Sequence, residues 1–172
     1  LLMKHYGISP WEINVITSIL DKRFKTEDEE IENTYEDKFV SHLEIGFPYS
    51  FNDEFFKWFD FKEWDRLKGV FKEMKRRRGD GKAIKIELNF SGEPDINFIL
   101  QSDQSQWFKM EVEKIDFVVE LLPYHLDKDK IPKNVKSVIY NFDQEAARWK
   151  IITVFTDENK FMNSVNGWKL TT

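Results

Sequence analysis

Apolar residues in this chain recur first at helical spacing and later at strand spacing. Ile13, Ile16, Ile19 and Leu20 stand three and four apart, with Val15 widening the stripe, as one face of a helix requires. Ser9-Pro10-Trp11-Glu12 supplies the start: Ser9 can cap, Pro10 suits the first turn, and Glu12 completes a capping box. A second box, Thr26-Glu27-Asp28-Glu29, opens the acidic stretch TEDEEIENTYED, with only Ile31 and Tyr35 as apolar anchors. It reads as a surface helix whose carboxylates favour the positive end of the dipole. Residues 39–47 alternate instead. Phe39, Leu43, Ile45 and Phe47 point one way and His42 and Glu44 the other, which predicts a strand ended by Pro48.

Seven aromatics then fall between Ser50 and Trp64. They fit a short helix capped by Asn52 and a longer one capped by Asp60, with Glu63 as its box partner. In the longer helix Phe61, Trp64, Leu67, Phe71 and Met74 make one apolar face, with Val70 alongside; Arg66, Lys68, Lys72, Lys75 and Arg76 lie away from it. After Gly81 the period becomes two. Ile84, Ile86, Leu88 and Phe90 share a face, Ser91–Pro94 is a turn, and DINFILQ returns as the partner strand. The segment WFKMEVEKIDFVVELL reads as a long strand with a bulge near Glu113–Lys114. PYHLDKDKIPKN reads as a loop, VKSVIYNF and RWKIITVF as a hairpin around Asp143–Ala147, and the tail as a short helix stopped by Gly167.

Helices first and strands second is the α+β pattern. The expectation is one globular domain over residues 1–172, helical up to about residue 80 and β-rich from about 81. N-terminal helices and one long helix would pack on one face of a mostly antiparallel meander of about five strands. The layering is analogous, by topology alone, to cystatin-like and nuclear-transport-factor-like architectures; no family motif carries the analogy.

Composition narrows this further. Apolar residues make up 41%, with 16 Phe, 6 Trp and 5 Tyr, so the core should be aromatic-rich. Charged residues of both signs make up 33%, a globular rather than disordered balance. The net charge of −5 turns any polyanion-binding role into a matter of a local patch. With no cysteine, disulfides, thiol catalysis and thiolate metal sites are excluded, and a cytoplasmic setting fits. No apolar run approaches a membrane span, so no membrane partner is expected. Met3, behind Leu1 and Leu2, reads as a natural start with two residues ahead of it.

The chemistry-bearing stretch is KEMKRRRGDGK, residues 72–82. Cations gather in a last helical turn because they meet the negative dipole end, Gly79 suits the cap that other residues resist, and Asp80-Gly81 turns the chain. That structural reading is favoured. The alternative is a phosphate or nucleic-acid contact through Arg76, Arg77, Arg78 and Lys82, with Lys85 near them. The Arg78-Gly79-Asp80 adhesion triplet is too short to weigh, and GDGK lacks the spacer and hydroxyl of a phosphate loop. His5, His42 and His125 show no paired metal-ligand spacing, so neither a metal nor another cofactor is expected; each imidazole reads as solvated or hydrogen-bonded. Glu111, Glu113, Asp116 and Glu120, with Glu87, would line the wet face of the long strand, or else do acid–base work. Trp107, Trp149 and Trp168 either close the core or offer stacking surfaces.

Three functions follow in order of preference. The first is a non-catalytic binding or protein-interaction module, with a second copy or another protein as partner. The second is binding of nucleic acid or a phosphate ligand through the basic helix end, residues 75–85. The third is an enzyme with Asp, Glu and His assembled in a helix–sheet cleft. Residues 27–37 hold seven acids and no bases, whereas residues 66–85 hold nine Lys/Arg. These patches either dock on each other, within one chain or across a dimer, or leave the cations waiting for a polyanion.

Overall fold

Three parallel strand pairs, each bridged by helices, organise the fold seen in a computed structural model that describes residues 1–33 and 38–171. Strand β1 (Leu2–Tyr6) leads through helix α1 (Pro10–Leu20) to β2 (Glu27–Glu30), which lies parallel to it. Strand β3 (Ser41–Phe47) leads through α2 (Asp53–Phe59) and α3 (Phe61–Arg78) to its parallel neighbour β4 (Ile84–Phe90). Strand β5 (Asp95–Leu100) leads through α4 (Ser105–Glu113) and α5 (Val118–His125) to β6 (Ser137–Asp143). The chain closes with β7 (Arg148–Phe155), β8 (Lys160–Ser164) and β9 (Gly167–Thr171), each antiparallel to the strand before it. Among the described residues this makes an α+β structure of five helices on one mixed sheet of nine strands, in the order β2-β1-β3-β4-β5-β6-β7-β8-β9.

The core is aromatic, as composition implies. Phe47 and Phe90, adjacent on β3 and β4, stack at 4.7 Å, and Phe98 on β5 stacks on Tyr140 of β6 at 4.9 Å. Trp64, Leu67, Phe71 and Met74 of α3 are buried against this layer, matching the helical stripe. Ser9 caps α1 and closes the expected box with Glu12. Phe61 departs from the stripe: it is half exposed and rests on Phe56 instead.

Several expectations are corrected. The sheet is mixed rather than mostly antiparallel, and larger than five strands, because every helical crossover brings the chain back parallel to its start. The segment expected as a long bulged strand is the helix pair α4–α5. Phe108, Val112, Ile115 and Val118 are its buried side, at helical steps of four and three, so the apparent bulge was a helical step. Helix α4 packs on the side of α3 expected to face water, where Lys68 and Lys75 are buried. The acidic stretch begins as edge strand β2, not as a helix; residues 34–37 of that expected helix lie outside the described residues. The tail is a hairpin, with Gly167 at φ 98° opening β9 after the turn instead of stopping a helix.

Candidate functional site

The arginine run ends α3, and each of its members has a partner within the chain. Arg78 turns inward: Nη1 donates to Glu12 Oε2 at 2.7 Å and Nη2 to Oε1 at 2.9 Å, while Nε reaches Ser41 Oγ at 3.1 Å. This fork ties the end of α3 to the start of α1, and the guanidinium holds the Glu12 carboxyl down at about 2. Arg76 grips Glu73 with two bonds of 2.6 and 2.8 Å, and Arg77 adds a third at 3.2 Å while lying 4.8 Å over the Trp11 ring. Lys82 stands over the Phe39 ring at 5.7 Å, with Lys85 at 5.9 Å from the same ring. Arg76 and Arg77 therefore meet on Glu73, whereas Arg78 and Lys82 have separate surroundings. Gly79 follows with φ 81° and ψ −169°, a conformation nearly confined to glycine.

The expected row of strand carboxylates is dispersed by the two helices. Lys68 meets Asp116 at 3.1 Å and Glu113 at 3.4 Å, and Lys72 also meets Glu113. Glu111 is buried in α4 and accepts from Ser102 twice, from N at 3.1 Å and from Oγ at 2.7 Å. Burial pushes its carboxyl up to about 7. It lines a cavity of about 370 Å³ with Gln101, Gln104, Asn141 and Gln144. The histidines lie elsewhere: His5 pairs with Asp28, His42 with Glu87 at 2.9 Å, and His125 with Tyr140. No group of three or more His, Asp or Glu among the described residues could hold a metal ion. No helix among them is long and apolar enough to cross a membrane.

A further candidate lies where the helix layer ends. α5 packs on β7, and the β8–β9 hairpin continues the sheet beyond it. The step leaves a groove of about 390 Å³ between Tyr124, His125 and Lys130 on one side and Arg148, Trp149 and Trp168 on the other. His125 Nδ1 stands 2.9 Å from the hydroxyl of buried Tyr140. That hydroxyl has no other partner among the described residues, so it donates to Nδ1 and leaves the neutral ring's proton on Nε2. Burial, then Arg148 and Lys130, hold the imidazole below its usual pKa, so it is neutral at neutral pH. Burial likewise raises the Tyr140 phenol and keeps it a donor.

Arg148 differs from the other five arginines. Arg23, Arg66, Arg76, Arg77 and Arg78 all donate within the chain, but the Arg148 guanidinium makes no hydrogen bond or ion pair with a described residue. Trp168 is fixed by its Nε1 bond of 2.7 Å to the Lys130 carbonyl, and Tyr124 is exposed. The groove thus offers Lys130 and Arg148, a third cation, Lys150, that is paired with Asp143, one imidazole N–H and two flat rings. Neither Arg148 nor Lys130 was a candidate from sequence. The available signal was that Arg148 is the lone arginine of the β-rich half. Comparison with family models, curated proteins and solved structures finds no match for this chain.

Proposed function

We propose that the protein is a non-catalytic binding module whose ligand is a phosphate-bearing compound with a planar base, on the scale of a mononucleotide. The observation that carries this reading is Arg148, an arginine without a hydrogen-bond or ion-pair partner among the described residues, set in a groove beside Lys130, His125 and Trp168. A guanidinium matches phosphate geometry with two parallel bonds, and an indole or phenol face takes a base whatever its identity. The groove volume, about 390 Å³, falls within the range of small-molecule sites. The phosphate-ligand reading of the sequence is kept, but moved from the helix end at 75–85 to the opposite end of the sheet. Arg76, Arg77 and Arg78 already have carboxylate partners, which supports the move. The cytoplasm suits such a ligand and a chain without cysteine.

The test is a titration of the full chain with ADP, followed by calorimetry and by tryptophan fluorescence. Saturable one-site binding is expected. Arg148→Glu should weaken it by about tenfold or more, the effect of losing one charge-assisted contact. The Arg76→Glu, Arg77→Glu double variant should leave it unchanged. Absence of saturable binding, or loss through the helix-end variant instead, would refute the reading.

A further inference from the structure

A second groove runs between α1 and α3, with an apolar floor of Val15, Ile19, Val70 and Met74 and a volume of about 280 Å³. Trp11 stands at its rim, 58% exposed despite its size. The α3 side of the groove is a stripe at three- and four-residue steps: Arg66, Gly69, Val70, Glu73 and Arg77. Gly69 is the anomaly. It sits in mid-helix, where glycine is less favourable than alanine, and its φ is not one that demands glycine. A Cβ built there meets nothing within 4 Å, so nothing inside the chain requires a residue without a side chain. Glycine in such a place lets another backbone come close.

The charges along α3 indicate which backbone. Two antiparallel copies crossing between Gly69 and Val70 place each residue opposite the one equally far beyond the crossing. Arg66, which pairs with Glu63 within the chain, then faces Glu73 of the other copy, and Arg76, which pairs with Glu73 within the chain, faces Glu63, so the contact extends these surface pairs across the axis. A two-fold axis repeats both pairs, so four opposite-sign pairs flank one glycine crossing, with Arg77 opposite Lys62 at its two outer ends. The same stripe run parallel sets Arg66 against Arg66 and Glu73 against Glu73.

We infer that the groove between α1 and α3 is a self-association surface, on which a second copy of this chain lays its own α3 antiparallel, crossing at Gly69–Val70 with Arg66 opposite Glu73. The contact covers the Trp11 rim and the apolar floor. It leaves the Arg148 groove free, because α3 packs on β4 and α5 on β7, three strands further along the sheet.

Charge exchange tests this without depending on the fold. Sedimentation of the full chain over a wide concentration range should show a monomer–dimer equilibrium. Arg66→Glu and Glu73→Arg, each alone, put like charges opposite one another twice and should weaken the dimer by about tenfold or more. Mixed together, the two variants should form a heterodimer, because each of the two facing pairs then joins opposite charges again. Gly69→Leu should give a monomer whose melting temperature is no lower than that of the original chain. A chain that stays monomeric at all concentrations overturns the inference. So do single variants that still dimerise, or a mixture of the two that does not.

Discussion

Glu111→Gln should remove a pH dependence of folding. Glu111 is almost fully buried, and its carboxyl is pushed up to about 7 from an ordinary value of 4.5, chiefly by burial. Below pH 4.5 the group is protonated whether the chain is folded or not, so it carries no penalty. Above about 7 it is ionised in both states, and the folded chain holds a buried charge. Stability from this group is therefore full at low pH and lost as pH rises through the window between those two values. The separation of 2.5 units, at about 1.4 kcal/mol each, amounts to about 3 kcal/mol. Glutamine mimics the protonated form: its Oε1 accepts from Ser102 N and its Nε2 donates to Ser102 Oγ. Urea denaturation of both proteins at a series of pH values gives the difference directly, because all other titrating groups cancel. The variant should match the original chain at about pH 4.5 and exceed it by up to about 3 kcal/mol at about pH 8. A difference that does not change with pH, or a variant less stable throughout, would refute the burial account.

Arg78→Ala should cost about 3 kcal/mol in denaturation, since it leaves the buried Glu12 charge unpaired, whereas Arg76→Ala should stay within about 0.5 kcal/mol. Glu12 is held below its unfolded value, so the contribution of this pair is present above pH 4.5 and fades as pH falls towards about 2. Phe71→Ala should cost about 3–5 kcal/mol, and a loss under about 1 kcal/mol would mean that α3 does not face the core. Gly69→Ala should stabilise the dissociated chain by about 0.5–1 kcal/mol, read from melts at low protein concentration. ADP should bind more tightly as pH falls from about 7.5 to about 5.5, relative to a His125→Ala variant. The bound phosphate would favour an imidazolium that burial, Arg148 and Lys130 otherwise suppress, with Tyr140 turning to accept from Nδ1.

Local structure is legible in the sequence wherever one strong pattern stands alone. The Ser9–Glu12 box, the α3 stripe and the alternation of β4 are each visible in a short window, and each appears in the structure. The failures came where two patterns competed. Met110, Val112, Phe117 and Val119 alternate like a strand while Phe108, Val112, Ile115 and Val118 step like a helix, and packing against α3 decided for the helix. Glu27–Glu30 has no strand propensity; it is a strand because α1 returns the chain alongside β1, and an edge tolerates exposed carboxylates. The fate of the arginines was readable only in space. Arg76, Arg77 and Arg78 are consecutive, yet two meet Glu73 on the surface and the third crosses to Glu12, 66 residues away.

The charge asymmetry follows from this edge geometry. An open sheet has two edges that can capture another strand. At β2 all four residues are exposed acids, so two copies brought together there would repel one another. Joining β2 of one copy to β9 of the next is a head-to-tail contact, which continues without limit unless the rotation closes it. An antiparallel α3 contact closes after two copies and uses neither edge. Within the chain the cations of α3 are interrupted by Glu63, Asp65 and Glu73, which pair with Lys22, Arg66, Lys68, Arg76 and Arg77. A self-complementary α3 contact would in addition set Glu63 and Glu73 opposite Arg76 and Arg66 of the other copy. On the two proposals made above, the acidic edge would act against misassembly, the mixed face of α3 would direct assembly, and Arg148, outside both, would be left for a ligand.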